Sequence, residues 1–107
     1  MKLLTKEILN KFEELGTQEG AGENSIIVAK FFLQSATWYA ISYDPEYKEF
    51  FGWVNLGDDQ SAEFGYFGLK ELEEVKGQFG LKIERDLYCG FETLKSHLGN
   101  IGKSIIR

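Results

Sequence analysis

The stretch whose reading decides the fold is Phe50 to Gly68, FFGWVNLGDDQSAEFGYFG. Two aromatic–glycine–aromatic units, Phe51-Gly52-Trp53 and Phe64-Gly65-Tyr66, flank Gly57-Asp58-Asp59-Gln60. Aromatic runs on both sides of a Gly/Asp cluster predict a β-hairpin. With Asp58 and Asp59 at the tip, Gly52 faces Gly65, Trp53 faces Phe64, and Phe51 faces Tyr66. Cross-strand ring pairs contribute roughly 0.2–1 kcal/mol each. The facing glycines leave a gap that a ring or another backbone can fill.

On the amino-terminal side, SIIVAKFF (Ser25 to Phe32) is almost continuously apolar and predicts a strand central in the sheet. A second strand is expected over Thr37 to Tyr43, with Trp38, Ala40 and Ser42 on one face and Tyr39, Ile41 and Tyr43 on the other. Asp44-Pro45-Glu46 carries turn chemistry, so four strands form an antiparallel meander joined by short links. Before them, Leu4, Ile8, Phe12 and Leu15 recur at helical spacing with Leu9 widening the stripe. This predicts a helix from Thr5, its N-cap, to Leu15, stopped by Gly16. The polar, glycine-rich segment 17–24 reads as a loop. After the hairpin, Leu69, Leu72 and Val75 predict a short helix closed by Gly77. Leu81 to Tyr88 alternates as a fifth strand, and Phe91 to Leu98 predicts a last helix with Phe91, Leu94 and Leu98 on one stripe. The fold class is therefore α+β: an antiparallel sheet of about five strands, a meander plus one, with two to three short helices mainly on one face.

The chain has 107 residues, enough for one domain with a real core, with 98–107 read as a loosely docked tail. Nine Phe and 15% aromatic content mean a core filled by rings. A net charge of −5 without a Lys/Arg cluster argues against direct nucleic-acid binding. One cysteine excludes an internal disulfide and points to a reducing, cytoplasmic setting. Lys6, Glu7, Asn10 and Lys11 interrupt any signal-peptide core, and no apolar run is long enough to span a membrane.

Cys89 and His97 are the only thiol and imidazole. A nucleophilic pair needs them in hydrogen-bond reach with a third group orienting the base; the plainer expectation is an inert thiol and a surface imidazole. Two such ligands are too few for structural zinc, and no cofactor fingerprint is present. The carboxylates Asp44, Glu46 and Glu49, with Asp58, Asp59 and Glu63, lack calcium-loop spacing. They read as turn chemistry, or as an acidic rim offered to a basic partner. Arg85 shares its strand face with Ile83 and Leu87 and is expected to pair with Glu63 or Glu71. Trp38, Tyr39, Trp53, Tyr66 and Tyr88 are more rings than a core of this size encloses, and those left outside form an interface patch.

MKLLTKEIL, VAKFF, Trp38-Tyr39-Ala40, FFGWV, EFGYFGLKELEEV and Ile83-Glu-Arg-Asp-Leu87 succeed one another in this order. Together they resemble a family of small single-domain bacterial proteins of unknown function, often carried on plasmids, phages and integrative elements. The likeness runs from Met1 to about Tyr88. This chain departs in Gly68, where members often have Ser, in Lys82, where they have Pro, and in a shorter acidic loop. The missing Ser weakens the cap expected for the second helix. The resemblance implies a genomic setting and carries no catalytic residue across. The function expected is a non-enzymatic protein-binding accessory protein of a mobile element, in its specific version an inhibitor of a host defence nuclease complex. Its partner-binding residues would be Trp53, Tyr66, Asp58, Asp59, Glu63 and Glu49. The alternative is a small-molecule or nucleotide-binding domain with a pocket between sheet and helices lined by Trp38, Tyr66 and Arg85.

Overall fold

A computed structural model describes residues 2–98 of the chain. The order is helix α1 (Lys6–Leu15), strands β1 (Ala29–Leu33), β2 (Ala36–Asp44), β3 (Glu49–Asn55) and β4 (Glu63–Gly68), helix α2 (Leu69–Glu74), strand β5 (Glu84–Arg85) and helix α3 (Leu94–Leu98). One open sheet runs β4-β3-β2-β1-β5, antiparallel at every pairing. This is the expected meander with one further strand added beside β1. Apart from Leu98, which ends α3, the expected tail lies outside the described residues. Among those described, no helix is long and apolar enough to cross a membrane.

The hairpin has the expected register: Phe51 faces Tyr66, Gly52 faces Gly65 and Trp53 faces Phe64. Alternation then sends Phe50 and Phe67 to one face of the sheet. Phe50 is fully buried there, with its ring centroid 4.8 Å from Tyr43, 5.3 Å from Phe31, 5.4 Å from Phe67 and 5.9 Å from Phe12. Phe12 comes from α1 and Leu72 from α2, so two of the three helices close this face. On the other face Ile27, Tyr39, Ile41 and Trp53 pack against Leu94 and Leu98 of α3.

The helix ends are set by local chemistry. Thr5 Oγ1 accepts the Ile8 N–H at 3.2 Å, and Gly16, at φ +63°, donates its N–H to the Phe12 carbonyl at 2.9 Å. Leu9, expected to widen the buried stripe, is exposed. Helix α2 starts where expected although Gly68 has no side chain to cap it. The Glu71 carboxylate accepts the Gly68 N–H at 3.3 Å instead.

Several expectations are corrected. The strand read over Ser25 to Phe32 begins only at Ala29, because Ile27 N–H turns away to the Glu92 carbonyl and Ile26 bridges Thr93. As expected, β1 lies inside the sheet, between β2 and β5. The fifth strand shrinks to Glu84–Arg85, the two residues that find partners on β1. In the last helix Phe91 stays outside: Thr93 Oγ1 accepts the Ser96 N–H at 3.1 Å and starts the turn, leaving the Phe91 ring 5.0 Å from Lys11 Nζ.

One more correction lies within β2 itself. Ala40 pairs with Gly52 but Ser42 pairs with Phe51, so Ile41 is an extra residue, a β-bulge. A one-residue insertion exchanges the faces of everything beyond it. Tyr43, expected beside Tyr39 and Ile41, crosses to the Phe50 side, and Ser42 takes the side of Phe51.

Candidate docking surface

The bulge is built from two other places in the chain. A Cβ on Gly52 would lie 1.8 Å from the Tyr39 carbonyl oxygen, so only glycine lets β2 approach β3 there. From the loop after α1, Gln18 reaches the bulge with its backbone in the left-handed region at φ +54°. Its Nε2 donates to the carbonyls of Ile26 and Ile41, both at 2.9 Å, and its Oε1 accepts the Ile26 N–H at 2.7 Å. One amide thus satisfies backbone groups that the interrupted ladder leaves over.

Between this loop and the hairpin lies an open groove of about 910 Å³. Phe51, Phe64 and Tyr66 form one wall; Gly16 to Gly20 and Ser42 to Pro45 form the other. Phe51 stacks on Phe64 with ring centroids 5.7 Å apart and planes 7° apart, and lies 5.0 Å from Tyr66. Trp53 meets Phe64 edge-on at 5.0 Å. Alternation puts these four rings on the α3 side of the sheet, where Trp53 packs against α3 and Phe51, Phe64 and Tyr66 lie outside that cluster. Phe64 therefore remains 37% exposed and Tyr66 72% exposed. A smaller depression of about 270 Å³ continues past the same two rings to Leu56, Asp58, Ser61 and Glu63.

The two depressions have one electrostatic sign. Glu13, Glu19, Asp44 and Glu49 line the groove, and Asp58 and Glu63 line the smaller depression. Neither has a lysine, arginine or histidine among the described residues that line it. Asp44 and Asp58 also shape their turns, Asp44 accepting the Glu46 N–H at 2.9 Å and Asp58 the Gln60 N–H at 3.0 Å.

Of the six residues expected at a partner interface, Tyr66, Glu49, Asp58 and Glu63 border these depressions. Asp59 instead accepts from Asn55 Nδ2 at 2.7 Å within its own turn. Trp53 is only 7% exposed, so it supports Phe64 from beneath and offers no free face. The acidic residues do not make one rim: Glu49 and Glu63 stand at opposite ends of the β3–β4 ladder. Phe64 and Phe51 were missed although the register already put them beside Tyr66. Glu13 and Glu19 could not be read, since they reach the groove only through the docking of α1.

The pocket imagined around Trp38, Tyr66 and Arg85 does not form. Trp38 is buried in the α1/α2 core, while Tyr66 on β4 and Arg85 on β5 lie at opposite edges of the sheet. Four strand spacings of about 4.8 Å also separate Arg85 from Glu63, one of its expected partners. Arg85 Nη1 donates to the Lys2 carbonyl, and Glu71 accepts the Gly68 N–H. Among the five rings expected to compete for the core, Trp38, Tyr39 and Trp53 are buried and Tyr66 and Tyr88 are exposed.

Cys89 and His97 both lie near Tyr39 on the α3 face, without the geometry of a nucleophile and its base. The Cys89 thiol donates to the Gly90 carbonyl at 3.4 Å, while His97 Nδ1 lies 3.4 Å from Glu92 Oε1 and its ring meets Tyr39 edge-on at 5.4 Å. Burial, and next the Asp86 carboxylate, push the Cys89 thiol above its ordinary value, away from the thiolate a nucleophile needs. Among the described residues no group of three or more His, Cys, Asp or Glu is placed to hold a metal.

No curated protein and no solved structure matches this chain. The family described as "Protein of unknown function (DUF2958)" has a model that matches residues 3–99, and the chain belongs to that family.

Proposed function

Starting from a family without an assigned activity, we propose that the protein is a non-enzymatic protein-binding module that docks its partner on the ring-lined groove of the β3–β4 hairpin. The observation that carries this reading is the exposure of Phe64 and Tyr66, rings held in register by Trp53 and Phe51 yet left facing an open groove. Rigid aromatic side chains beside a concavity are the common anchors of protein interfaces. The Cys89 thiol, hydrogen-bonded to the Gly90 carbonyl and raised by burial, argues against Cys89 as a nucleophile. The resemblance to proteins of plasmids, phages and integrative elements supports a role as an accessory protein of a mobile element. Inhibition of a host defence nuclease complex is the specific version to test first. The acidic lining disfavours the phosphates of a nucleotide, and the residues expected to line a nucleotide pocket lie apart.

The test is comparative capture from bacterial lysate with the wild-type chain and with Tyr66→Ser, a change at a side chain too exposed to carry the fold. A partner retained by the former and lost by the latter is expected; identical profiles would remove the groove from consideration. A nucleotide that raises the melting temperature by several degrees would instead favour a ligand pocket.

A further inference from the structure

The docking reading says where a partner binds, and resting on it, the same surface restricts what the partner can be. We infer that the occupant is an extended peptide segment of a partner protein bearing arginine or lysine between apolar residues, laid along β4.

Three features of the surface converge on that chemistry. Among the described residues strand β4 is an edge of the sheet with a strand on one side only, so its outer side can take an added strand. Its six residues, Glu63–Gly68, span about 20 Å, the length of a six-residue extended segment. The groove opens from Phe64 and Tyr66 inward over β3 toward β2 and the loop after α1, and the smaller depression opens from the same two rings toward Leu56 and Asp58, giving side chains of such a segment two places to enter.

The second feature is charge. Six carboxylates line the two depressions, with no cationic side chain among the described residues that line them. Lys11–Glu14, Lys30–Asp86 and Lys95–Glu23 ion pairs exist elsewhere, yet Glu13, Glu19, Glu49 and Glu63 have no ion pair among the described residues. A basic segment would supply the missing opposite charge, and an acidic or phosphorylated one would meet repulsion at both ends of β4. The third feature is the rings, since the exposed faces of Tyr66 and Phe64 can receive a guanidinium or ammonium. Carboxylates and ring faces within one concavity select a cation attached to an apolar chain.

The experiment is fluorescence anisotropy with the full chain and labelled peptides alternating arginine with isoleucine, lysine with isoleucine, and glutamate with isoleucine. The arginine peptide should bind and the glutamate peptide should not. Binding should weaken about tenfold or more in Tyr66→Ser. It should also weaken, and lose most of its salt dependence, when Glu13, Glu19 and Glu49 are all changed to Gln. Equal binding of the glutamate peptide, or arginine-peptide binding indifferent to both variants, would overturn the inference. So would Tyr66-dependent capture of a lysate protein with which the arginine peptide does not compete, a result that leaves the docking site standing and refutes only the partner chemistry. Capture and peptide binding both untouched by Tyr66→Ser would refute the two together.

Discussion

Gly52 and Gly65 face each other across one hairpin, and substituting alanine at each should have opposite effects. At Gly52 the added methyl would sit 1.8 Å from the Tyr39 carbonyl oxygen and 2.8 Å from its carbon, both backbone atoms. No rotamer relieves a clash between main chain and Cβ, so β2 and β3 must part by roughly 1.6 Å to restore an ordinary contact, enough to break an adjacent N–H···O bond. Losing one or two ladder bonds costs about 1 kcal/mol each, and the residual overpacking adds about 1–3 kcal/mol. Gly52→Ala should therefore destabilise by about 2–5 kcal/mol, a large part of the roughly 5–15 kcal/mol that holds a domain together. At Gly65 a Cβ meets nothing within 4 Å. Gly65→Ala should be neutral, or stabilising by about 0.4–1 kcal/mol through a less flexible unfolded chain. Thermal unfolding followed by near-ultraviolet circular dichroism reads both, at about 4–8 °C per kcal/mol for a domain of this size. A Gly52→Ala protein melting within about 3 °C of wild type, or Gly65→Ala falling as far as Gly52→Ala, would refute the bulge as the cause.

Gln18→Ala removes three hydrogen bonds to the Ile26 and Ile41 backbone and should cost about 2–3 kcal/mol in urea denaturation, because partly buried peptide groups lose their partner. Tyr39 and Cys89 have values raised in the folded chain, by burial first, above the ordinary 10.0 and 9.0. The unfolded chain therefore releases these protons first. Stability should be at its full level below pH 9.0 and fall as pH rises through 9.0 and 10.0. Urea midpoints measured from neutral to alkaline pH check this, and Cys89→Ala should flatten the first part of the decline. Ser42→Phe should fill the groove beside Phe51, cutting partner or peptide binding about tenfold or more while the circular dichroism spectrum stays native; undiminished binding would place the docking surface elsewhere.

What the sequence allowed to be read differs from element to element for physical reasons. The hairpin register was legible because glycine opposite glycine and ring opposite ring leave one sensible alignment around the Asp58-Asp59 tip. Thr5 and Gly16 were legible because capping is local chemistry, settled within about four residues. Strand β5 was over-read because alternation in Leu81 to Tyr88 shows which side chains share a face, not how far β1 extends to pair with them. The pocket of Trp38, Tyr66 and Arg85 failed because strand order, which put β4 and β5 at opposite edges, is decided by the whole sheet. Four of the six interface residues border the depressions. Trp53 was misplaced because the α3 face has its own core, built from a helix whose docking no local pattern reveals.

The bulge at Ile41 was hidden for a related reason, and it explains why a groove exists at all. Trp38 to Tyr43 alternates cleanly, so nothing within β2 announces an extra residue; the signs lie in Gly52 on the next strand and in Gln18 back in the loop after α1. Without the insertion, Tyr43 would stand on the side of Phe51 and Ser42 on the side of Phe50. The buried cluster would then lose a ring that lies 4.8 Å from Phe50 and 5.8 Å from Phe12, and the space beside Phe51 would hold a phenol in place of a hydroxymethyl group. One inserted residue thus adds a ring to the core and removes one from the surface. The strand contacts that Gly52 permits and the bonds that Gln18 supplies stabilise both results together, so core packing and an open groove have a single structural origin.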